Sequence, residues 1–341
     1  MLKKTIKPAL TALVGLAMYA SAAPIFAADA PIVIKFSHVV ANDTPKGQGA
    51  QLFKKLVKER LGDRVKIEVY PNSSLYNDNK GLNALLTGDV QLLAPSMAKL
   101  GQYSDSVQIF DLPFLFDDLA ALTRFENNEG GRQILKSMQD HNILGLAYWH
   151  NGMRQITANQ PVVDPRDARG LKLRVEPSDV LAAQVNELHA IPRKMAFSEV
   201  YQGMQTGVID GQSGNTWSNI QTQKWPEVQS DATASHNGVL DYMLITNADF
   251  WNGLPDDVRG ELDDILDEVT ASVNDKAAKL NRQARQEIME SGSMKIHELS
   301  DSQLADWREA MQPVIDEYRS EIGSDLIKAA QNANQTAKNG G

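Results

Sequence analysis

The chain has no cysteine at all and no excess of positive charge. With zero cysteines in 341 residues, disulfides, thiolate catalysis and cysteine-ligated metals are excluded. The formal charge is −9, and it becomes −12 once Lys3, Lys4 and Lys7 of a predicted export signal are removed. So acidic a protein is a poor candidate for nucleic acid or an anionic membrane surface, which both require basic patches. A small anion can still bind, because salt screens distant surface charges beyond about 8 Å, and the field near a buried arginine then comes mainly from that arginine.

The common catalytic motifs are also missing. The sequence has no Gly-x-Ser-x-Gly elbow, no His-Glu-x-x-His pair and no glycine-rich loop for phosphate. Its six histidines show no spacing typical of metal ligands. The pairs Asp256-Asp257 and Asp263-Asp264 fit a helix start and a solvated helix face. We therefore predict no enzyme activity, no cofactor and no metal site.

The N-terminus is typical of a secretory signal peptide. Residues 1–7 are basic, residues 9–20 are apolar, and the small residues that follow allow cleavage after Ala27 or Ala28. The alternative is a membrane anchor, but this apolar run is shorter than the roughly 20 residues that a span needs. No later segment is apolar for long enough. We predict an exported, soluble protein of a bacterial periplasm.

Strand-like and helical segments alternate in both halves of the chain. Each half runs strand, helix, strand, helix, Thr-Gly, strand. The predicted strands lie at 32–40, 65–70 and 90–94 in the first half and at 171–175, 189–192 and 208–210 in the second. This alternation predicts parallel sheets that bind ligands at the carboxyl ends of their strands. About 310 mature residues suffice for two lobes, and two facing sheets form a cleft.

One long apolar stripe dominates the last third of the sequence. It predicts a helix that begins after residues 255–257 and ends near Gly292, which is over 30 residues or roughly 50 Å. A helix of that length runs along or across both lobes. Residues 300–303 fit a capping box for a further helix.

Four polar residues are candidates for ligand contacts. Arg174 lies in an apolar strand, where a guanidinium is costly unless it meets an anion; the alternative is a surface ion pair at a strand end. Arg154, twenty residues earlier, is a second cation of the cleft or a surface residue. Asn215 donates to a ligand oxygen or belongs to an ordinary turn. His38 follows a strand and faces the cleft, or is simply capped or exposed.

The whole mature chain resembles the periplasmic solute-binding proteins of tripartite ATP-independent periplasmic (TRAP) transporters, of the dicarboxylate-binding type. Each short motif alone is weak, and their combination is specific. The motifs are residues 35–40, 70–75, 110–116, 170–175, 197–207 and 250–255.

The resemblance implies a fold and a set of contacts. It implies an α/β, two-lobed periplasmic-binding-protein-like fold, each lobe a mostly parallel sheet flanked by helices, hinged by crossing strands and the long helix. The family arginine that pairs with the substrate carboxylate falls on Arg174, a second basic residue on Arg154, and a cleft aromatic on Phe197. The family asparagine falls on Asn215, although the loop at 210–215 is one residue longer here than the usual Asp-Gly-Gln-Glu-Asn.

These features give one functional hypothesis. The protein captures a four-carbon dicarboxylate (succinate, fumarate or malate) and delivers it to the small and large membrane subunits of a permease. Arg174 grips one carboxylate, while Arg154, His38 or Ser96 contact the other, with Asp78, Trp217 and Tyr242 as further site candidates. Alternatives are a sugar acid, an oxoacid or a monocarboxylate as ligand, an exported organic-acid enzyme, or a sensor subunit.

The predicted organisation has three parts. Residues 1–27 are the signal peptide. Residues 28–151 plus 240–280 form lobe 1, and residues 152–239 plus 281–341 form lobe 2. A monomer that binds no nucleic acid is expected.

Overall fold

The structure, a computed structural model, describes residues 30–335, and the predicted signal peptide at 1–27 lies outside them. The strands are β1 Ile32–Ser37, β2 Val65–Tyr70, β3 Leu92–Leu93, β4 Ile143–Met153, β5 Gln155–Ala158, β6 Lys172–Val175, β7 Ile191–Lys194, β8 Gly211–Asn215, β9 Asp231–Ala234, β10 Val239–Asn247 and β11 Lys295–Glu298. The helices are α1 Pro45–Leu61, α2 Asp78–Leu86, α3 Leu119–Glu126, α4 Glu129–Lys136, α5 Asp179–Glu187, α6 Val200–Gln205, α7 Trp217–Thr222, α8 Ala248–Asn252, α9 Asp256–Ser291, α10 Asp301–Ile322 and α11 Ser324–Gln335. Within the described range, none of these helices is both long enough and apolar enough to cross a bilayer.

The strands form two sheets flanked by helices, which confirms the predicted α/β fold. Sheet one has the order β2-β1-β3-β10-β4, and sheet two has the order β11-β9-β5-β8-β6-β7. The strand–helix–strand units pair in parallel, as β1 does with β2 and β3, and as β6 does with β7 and β8. Each sheet also contains antiparallel pairs, which β10 makes in sheet one and β5 makes in sheet two. The sheets are therefore mixed.

The chain passes between the sheets at two adjacent places. β4 of sheet one ends at Met153 and β5 of sheet two begins at Gln155, so that Arg154 alone separates them. β9 and β10 make the return passage. The backbone N–H of Arg154 donates to the Gly238 carbonyl at 2.8 Å, which joins the two passages to each other.

The long helix predicted from the apolar stripe is present as α9, which has 36 residues and is about 54 Å long. Its first half packs Val258, Leu262 and Ile265 into the core of sheet one. Its second half packs Ala284 and Ile288 into a core beside sheet two. The helix therefore contributes to the cores of both sheets.

Local sequence signals set several element ends. Thr44 caps α1, because its Oγ1 accepts from the Gly47 N–H at 3.2 Å. Gly62 ends that helix with a φ of 59°, a conformation that glycine adopts without strain. Ser300 forms the predicted capping box at the start of α10.

Two features differ from the sequence-based expectations. The strand predicted at 208–210 starts instead at Gly211, which pairs with Leu173 of β6, while Val208 is 54% exposed. The last helix, α11, packs on α3 beside sheet one, although the sequence assigns residues 281–341 to lobe 2. The lobe boundaries stay a prediction.

The packing of α1 on α9 gives a stability test. A methyl group on Gly49 of α1 would meet Val273 Cγ2 at 2.4 Å and Trp149 Cζ3 at 3.3 Å, whereas Gly260 of α9 has nothing within 4 Å. Gly49→Ala is expected to lower the free energy of unfolding by about 1–3 kcal/mol through overpacking. Gly260→Ala is expected to raise it by about 0.5–1 kcal/mol, since alanine favours helix. Guanidinium denaturation measures both, and equal stability of the two variants would contradict the packing argument.

Candidate ligand-binding site

A buried carboxylate lies between the two sheets. Glu176 directly follows β6 of sheet two. Its Oε1 accepts from Ser96 Oγ at 2.6 Å and lies 3.2 Å from Lys99 Nζ. Both partners belong to the segment that follows β3 of sheet one, where Ser96 bridges to Tyr242 of β10. The ends of strands from both sheets therefore meet here, as the fold prediction requires.

The same carboxylate extends into an ion-pair network. Lys99 Nζ also lies 3.0 Å from Asp78 Oδ1, and Asp78 Oδ2 accepts from the Phe197 N–H at 2.9 Å. Burial alone would raise the pKa of Glu176, but Lys99 and Arg154 hold it well below its usual value. Burial would likewise raise the pKa of Asp78, whereas Lys99 lowers it, and the net result is a pKa below the usual value. Both carboxylates are therefore ionised and occupied by protein cations.

Arg154 is engaged by protein groups on all sides. Its Nη1 lies 3.1 Å from Glu176 Oε2, and its Nη2 lies 3.3 Å from Asp111 Oδ1. Its Nε donates to the Val239 carbonyl at 2.8 Å and its Nη1 to the Gly214 carbonyl at 3.2 Å. These contacts brace the point where the chain passes between the sheets.

Arg174, unlike Arg154, makes few contacts with polar groups of the protein. Its side chain is buried, with 2% of the residue exposed, so the surface ion pair that the sequence allowed is not what the structure contains. Its Nε donates to the Met195 carbonyl at 3.1 Å, and its Nη2 has no hydrogen-bond partner. Among residues 30–335, no carboxylate lies within 4.0 Å of this guanidinium. Burial lowers its pKa, and such a group is costly unless an anion meets it.

Lys46 is a second buried cation without a carboxylate, and the sequence analysis missed it. It is 1% exposed; its Nζ donates to the Ala94 carbonyl at 2.8 Å and lies 3.5 Å above the centre of the Tyr242 ring. Burial, and then the charge of Lys99, lower its pKa well below the usual value. The available signal was its place in the first turn of α1, where the helix dipole disfavours a cation.

Amides surround the hydroxyl of Tyr242. Tyr242 Oη accepts from Asn151 Nδ2 at 3.0 Å and from Asn219 Nδ2 at 3.3 Å. Asn219 Nδ2 also donates to Asn215 Oδ1 at 2.8 Å. Tyr242 is therefore contacted by amides at its hydroxyl and by Lys46 over its ring.

The longer loop at 210–215 is accommodated in sheet two by a β-bulge. Along the β5–β8 pair, Gln155 lies opposite Asn215 but Thr157 lies opposite Gln212, so β8 contains one extra residue. Bulges of this kind absorb an insertion and keep the rest of the ladder in register. Asn215 consequently stays buried at the end of its strand.

Several separate cavities lie beside these groups. Lys99, Glu176, Phe197, Asn215 and Tyr242 line one of them. The predicted site residues that the structure brings together around these cavities and the ion-pair network are His38, Asp78, Ser96, Arg154, Arg174, Phe197, Asn215 and Tyr242.

Two of the predicted residues play less direct parts. Trp217 is buried in the apolar cluster behind Phe197 and Trp225, which places it in a supporting layer. His38 lies beside Lys46 in a second cavity, and neither of its ring nitrogens has a hydrogen-bond partner. A backbone group of Val40 is near the ring but outside hydrogen-bond geometry.

The chain is similar to solved and curated proteins over most of its length. Residues 36–321 match the family described as bacterial extracellular solute-binding protein, family 7. A relative from Shewanella loihica, the C4-dicarboxylate-binding periplasmic protein DctP, is 49% identical over 306 residues, 90% of this chain and 91% of the relative.

Two crystal structures of TRAP periplasmic solute-binding proteins are similar as well. The protein from Shewanella oneidensis, with bound succinate, has a TM-score of 0.88 and 49% identity, covering 89% of this chain and 100% of that one. The protein from Pseudomonas aeruginosa PAO1, with bound L-malate, has a TM-score of 0.83 and 48% identity, covering 84% of this chain and 100% of that one.

His38 makes the stability of the protein sensitive to acid. Burial, and then Lys46, lower the pKa of its imidazole from 6.5 to about 3, so between these values the unfolded chain binds more protons than the folded one. The free energy of unfolding therefore decreases as the pH falls from 6.5, by about 2 kcal/mol at pH 5 from this group. Urea denaturation at pH 7.5 and 5.0 measures the decrease. His38→Gln is expected to remove most of it and the exposed-site control His141→Gln none; equal losses in both variants would contradict the assignment.

Proposed function

The chain belongs to family 7 of the bacterial extracellular solute-binding proteins, and we propose that it captures four-carbon dicarboxylates for a TRAP transporter. Succinate, fumarate and malate are the proposed ligands, and the small and large membrane subunits of the permease are the proposed recipients. Relatives named as C4-dicarboxylate-binding proteins at 47–49% identity support this function. The observation that carries it is a pair of buried cations, Arg174 and Lys46, that contact no carboxylate among residues 30–335.

The candidate site leaves two cations for the anionic groups of a ligand. It contains four buried cations and three carboxylates with buried side chains. The cations are Lys46, Lys99, Arg154 and Arg174, and the carboxylates are those of Asp78, Asp111 and Glu176. Lys99 and Arg154 each contact two of the carboxylates, and the remaining two cations contact none. Two unpaired positive charges suit a ligand with two negative ones, because each is costly to bury alone.

We assign the two carboxylates of the ligand to these two cations. The planar fork of Arg174 suits bidentate binding, at about 1.5–3 kcal/mol for each charged hydrogen bond. The ammonium of Lys46 binds as a point charge, supported by Tyr242 below it. Because its pKa is low, the imidazole of His38 is neutral and adds a hydrogen-bonding group without a further charge. Arg154 acts as a positioning residue through Glu176.

Ligand binding would bring the two sheets together. Arg174 comes from β6 of sheet two, whereas Lys46 comes from α1, which packs on sheet one. A dianion held by both cations adds a bridge parallel to the one that Glu176 already makes to Ser96 and Lys99. Contacts made only in the closed arrangement let the ligand favour that state.

A thermal-shift screen of the ligand-free protein tests this function. A ligand at 100 times its dissociation constant adds about 2.7 kcal/mol of stability, so succinate, fumarate or malate should each raise the melting temperature by several degrees. Stabilisation by sugar acids or monocarboxylates alone would keep the binding function and change the ligand class. Conversion of the added acid during incubation would favour the exported-enzyme alternative. A lack of response to every acid would contradict the proposal.

Substitutions at the two cations test their separate roles by titration calorimetry. Arg174→Lys keeps the charge but loses the fork, and is expected to weaken succinate binding about ten- to a hundredfold, in keeping with the loss of one charged hydrogen bond. Lys46→Met should weaken succinate binding as strongly, yet leave the weak binding of a monocarboxylate nearly unchanged.

Lys54→Met, at an exposed lysine on the same helix, serves as the control. Near-native affinity in either site variant would overturn the corresponding contact.

A further inference from the structure

Three buried ionisable side chains converge outside the candidate ligand site. They are Glu126 at the end of α3, His150 on β4 and Asp241 on β10, and a ligand atom of each lies within 4.8 Å of the other two. His150 Nε2 lies 2.7 Å from Glu126 Oε2. His150 and Asp241 lie opposite each other in the β4–β10 register. We call this group the α3 triad.

The α3 triad and the ligand site use opposite faces of the same strand. Successive side chains of a strand point to opposite faces of the sheet. Tyr242 faces Lys46 and the ligand site, and its neighbour Asp241 faces α3 and Glu126. The triad is therefore separate from the machinery assigned to the dicarboxylate.

The negative charge of the triad has no protein cation to balance it. Among residues 30–335, no lysine or arginine lies within 4.0 Å of Glu126 or Asp241. Asp241 is 1% exposed. With both acids ionised, neither carboxylate oxygen of Asp241 has a hydrogen-bond donor among the described residues, and Glu126 Oε1 has none either. The Tyr242 N–H lies near Asp241, and a proton on one acid would let the Glu126 and Asp241 carboxyls bond to each other. Buried carboxylates left in this way cost several kcal/mol unless something positive compensates them.

We propose that the α3 triad binds a divalent transition-metal ion of the Zn²⁺ type, through His150 Nε2 and one oxygen each of Glu126 and Asp241. Imidazole nitrogen and carboxylate oxygen are ligands that Zn²⁺ accepts at about 2.0–2.2 Å, whereas Mg²⁺ and Ca²⁺ prefer oxygen alone. Two carboxylates also neutralise a divalent cation. Burial lowers the pKa of His150, so its ring is neutral and able to coordinate.

Such an ion would have a structural role. It would join α3 to β4 and β10, the strand pair that leads into the passages between the sheets. The histidine spacing in the sequence did not reveal it, because 24 residues separate Glu126 from His150 and 91 separate His150 from Asp241. Only the pairing of β4 with β10 brings these residues together.

Metal content of the untagged, exported protein tests the proposal. The protein is stripped with EDTA, freed of dicarboxylate, incubated with Zn²⁺, desalted and analysed by mass spectrometry for metal. About one Zn²⁺ per chain is expected, and the melting temperature should rise by about 5 °C at 100 times the dissociation constant. Retention of less than a tenth of an equivalent by the wild-type protein would overturn the proposal.

Variants locate the ion. Asp241→Asn and His150→Gln are expected to lose the bound Zn²⁺, and Asp264→Asn, at an exposed acid of α9, should keep it. Zinc uptake by Asp241→Asn and His150→Gln at the wild-type level would place the ion elsewhere and overturn the assignment. If these variants do not fold, Co²⁺ bound to the wild-type protein should show the visible absorption of an imidazole-ligated ion, and a spectrum like that of aqueous Co²⁺ would overturn the proposal.

The alternative to a metal ion in the α3 triad is protonation of its two acids. Burial raises the pKa of Glu126 to about 8 and that of Asp241 well above its usual value, so without a metal Glu126 stays protonated near neutral pH. In that case the wild-type protein binds no Zn²⁺, and its stability falls as the pH rises from about 4.5 to 8. That result would also overturn the proposal, while leaving dicarboxylate binding intact.

Discussion

The candidate site depends on the contacts that the buried carboxylate of Glu176 makes. It accepts from Ser96 at 2.6 Å and lies 3.2 Å from Lys99 and 3.1 Å from Arg154. One negative charge after β6 of sheet two thus engages groups attached to sheet one and to the passage between the sheets. Removing one partner from such a buried pair costs about 3–5 kcal/mol, because the other is left uncompensated. The geometry of the whole site is therefore sensitive to this residue.

The contacts of Glu176 also explain why two other cations have no carboxylate within ion-pair distance in the part of the chain that the structure describes. Lys99 and Arg154 use the protein carboxylates, so none remains for Arg174 or Lys46. A binding protein needs this imbalance: cations fully paired within the protein would gain little from a ligand, and exposed ones would be screened by solvent and salt. The buried, unpaired guanidinium and ammonium are thus the physical basis of the proposed affinity for a dicarboxylate.

The strand pair β4–β10 supports polar groups on both of its faces. Tyr242 lies in the candidate ligand site, and its neighbour Asp241 belongs to the α3 triad. Along this pair, Leu240 lies opposite Gly152 but Asp241 lies opposite His150, so Asn151 is an extra residue in β4. The bulge lets Asn151 donate to the Tyr242 hydroxyl while His150 still points to Glu126. A regular ladder could not satisfy both faces in this way, because a shift by one residue reverses the side-chain directions.

The amino-acid sequence alone determined those helices and strands that depend on residues within one turn or one strand of each other. Ser300 caps α10 as predicted, and Thr44 caps α1. The apolar stripe sets the length of α9, and Arg174 stands out because an arginine in an apolar strand needs an anion. Only the tertiary structure decided which cations stay unpaired. Lys46 is buried against Ala94, 48 residues away, and Arg154 is engaged by carboxylates that the sequence does not place near it. Ion pairing and burial depend on distances between residues far apart in the chain, and neither periodicity nor capping encodes those distances.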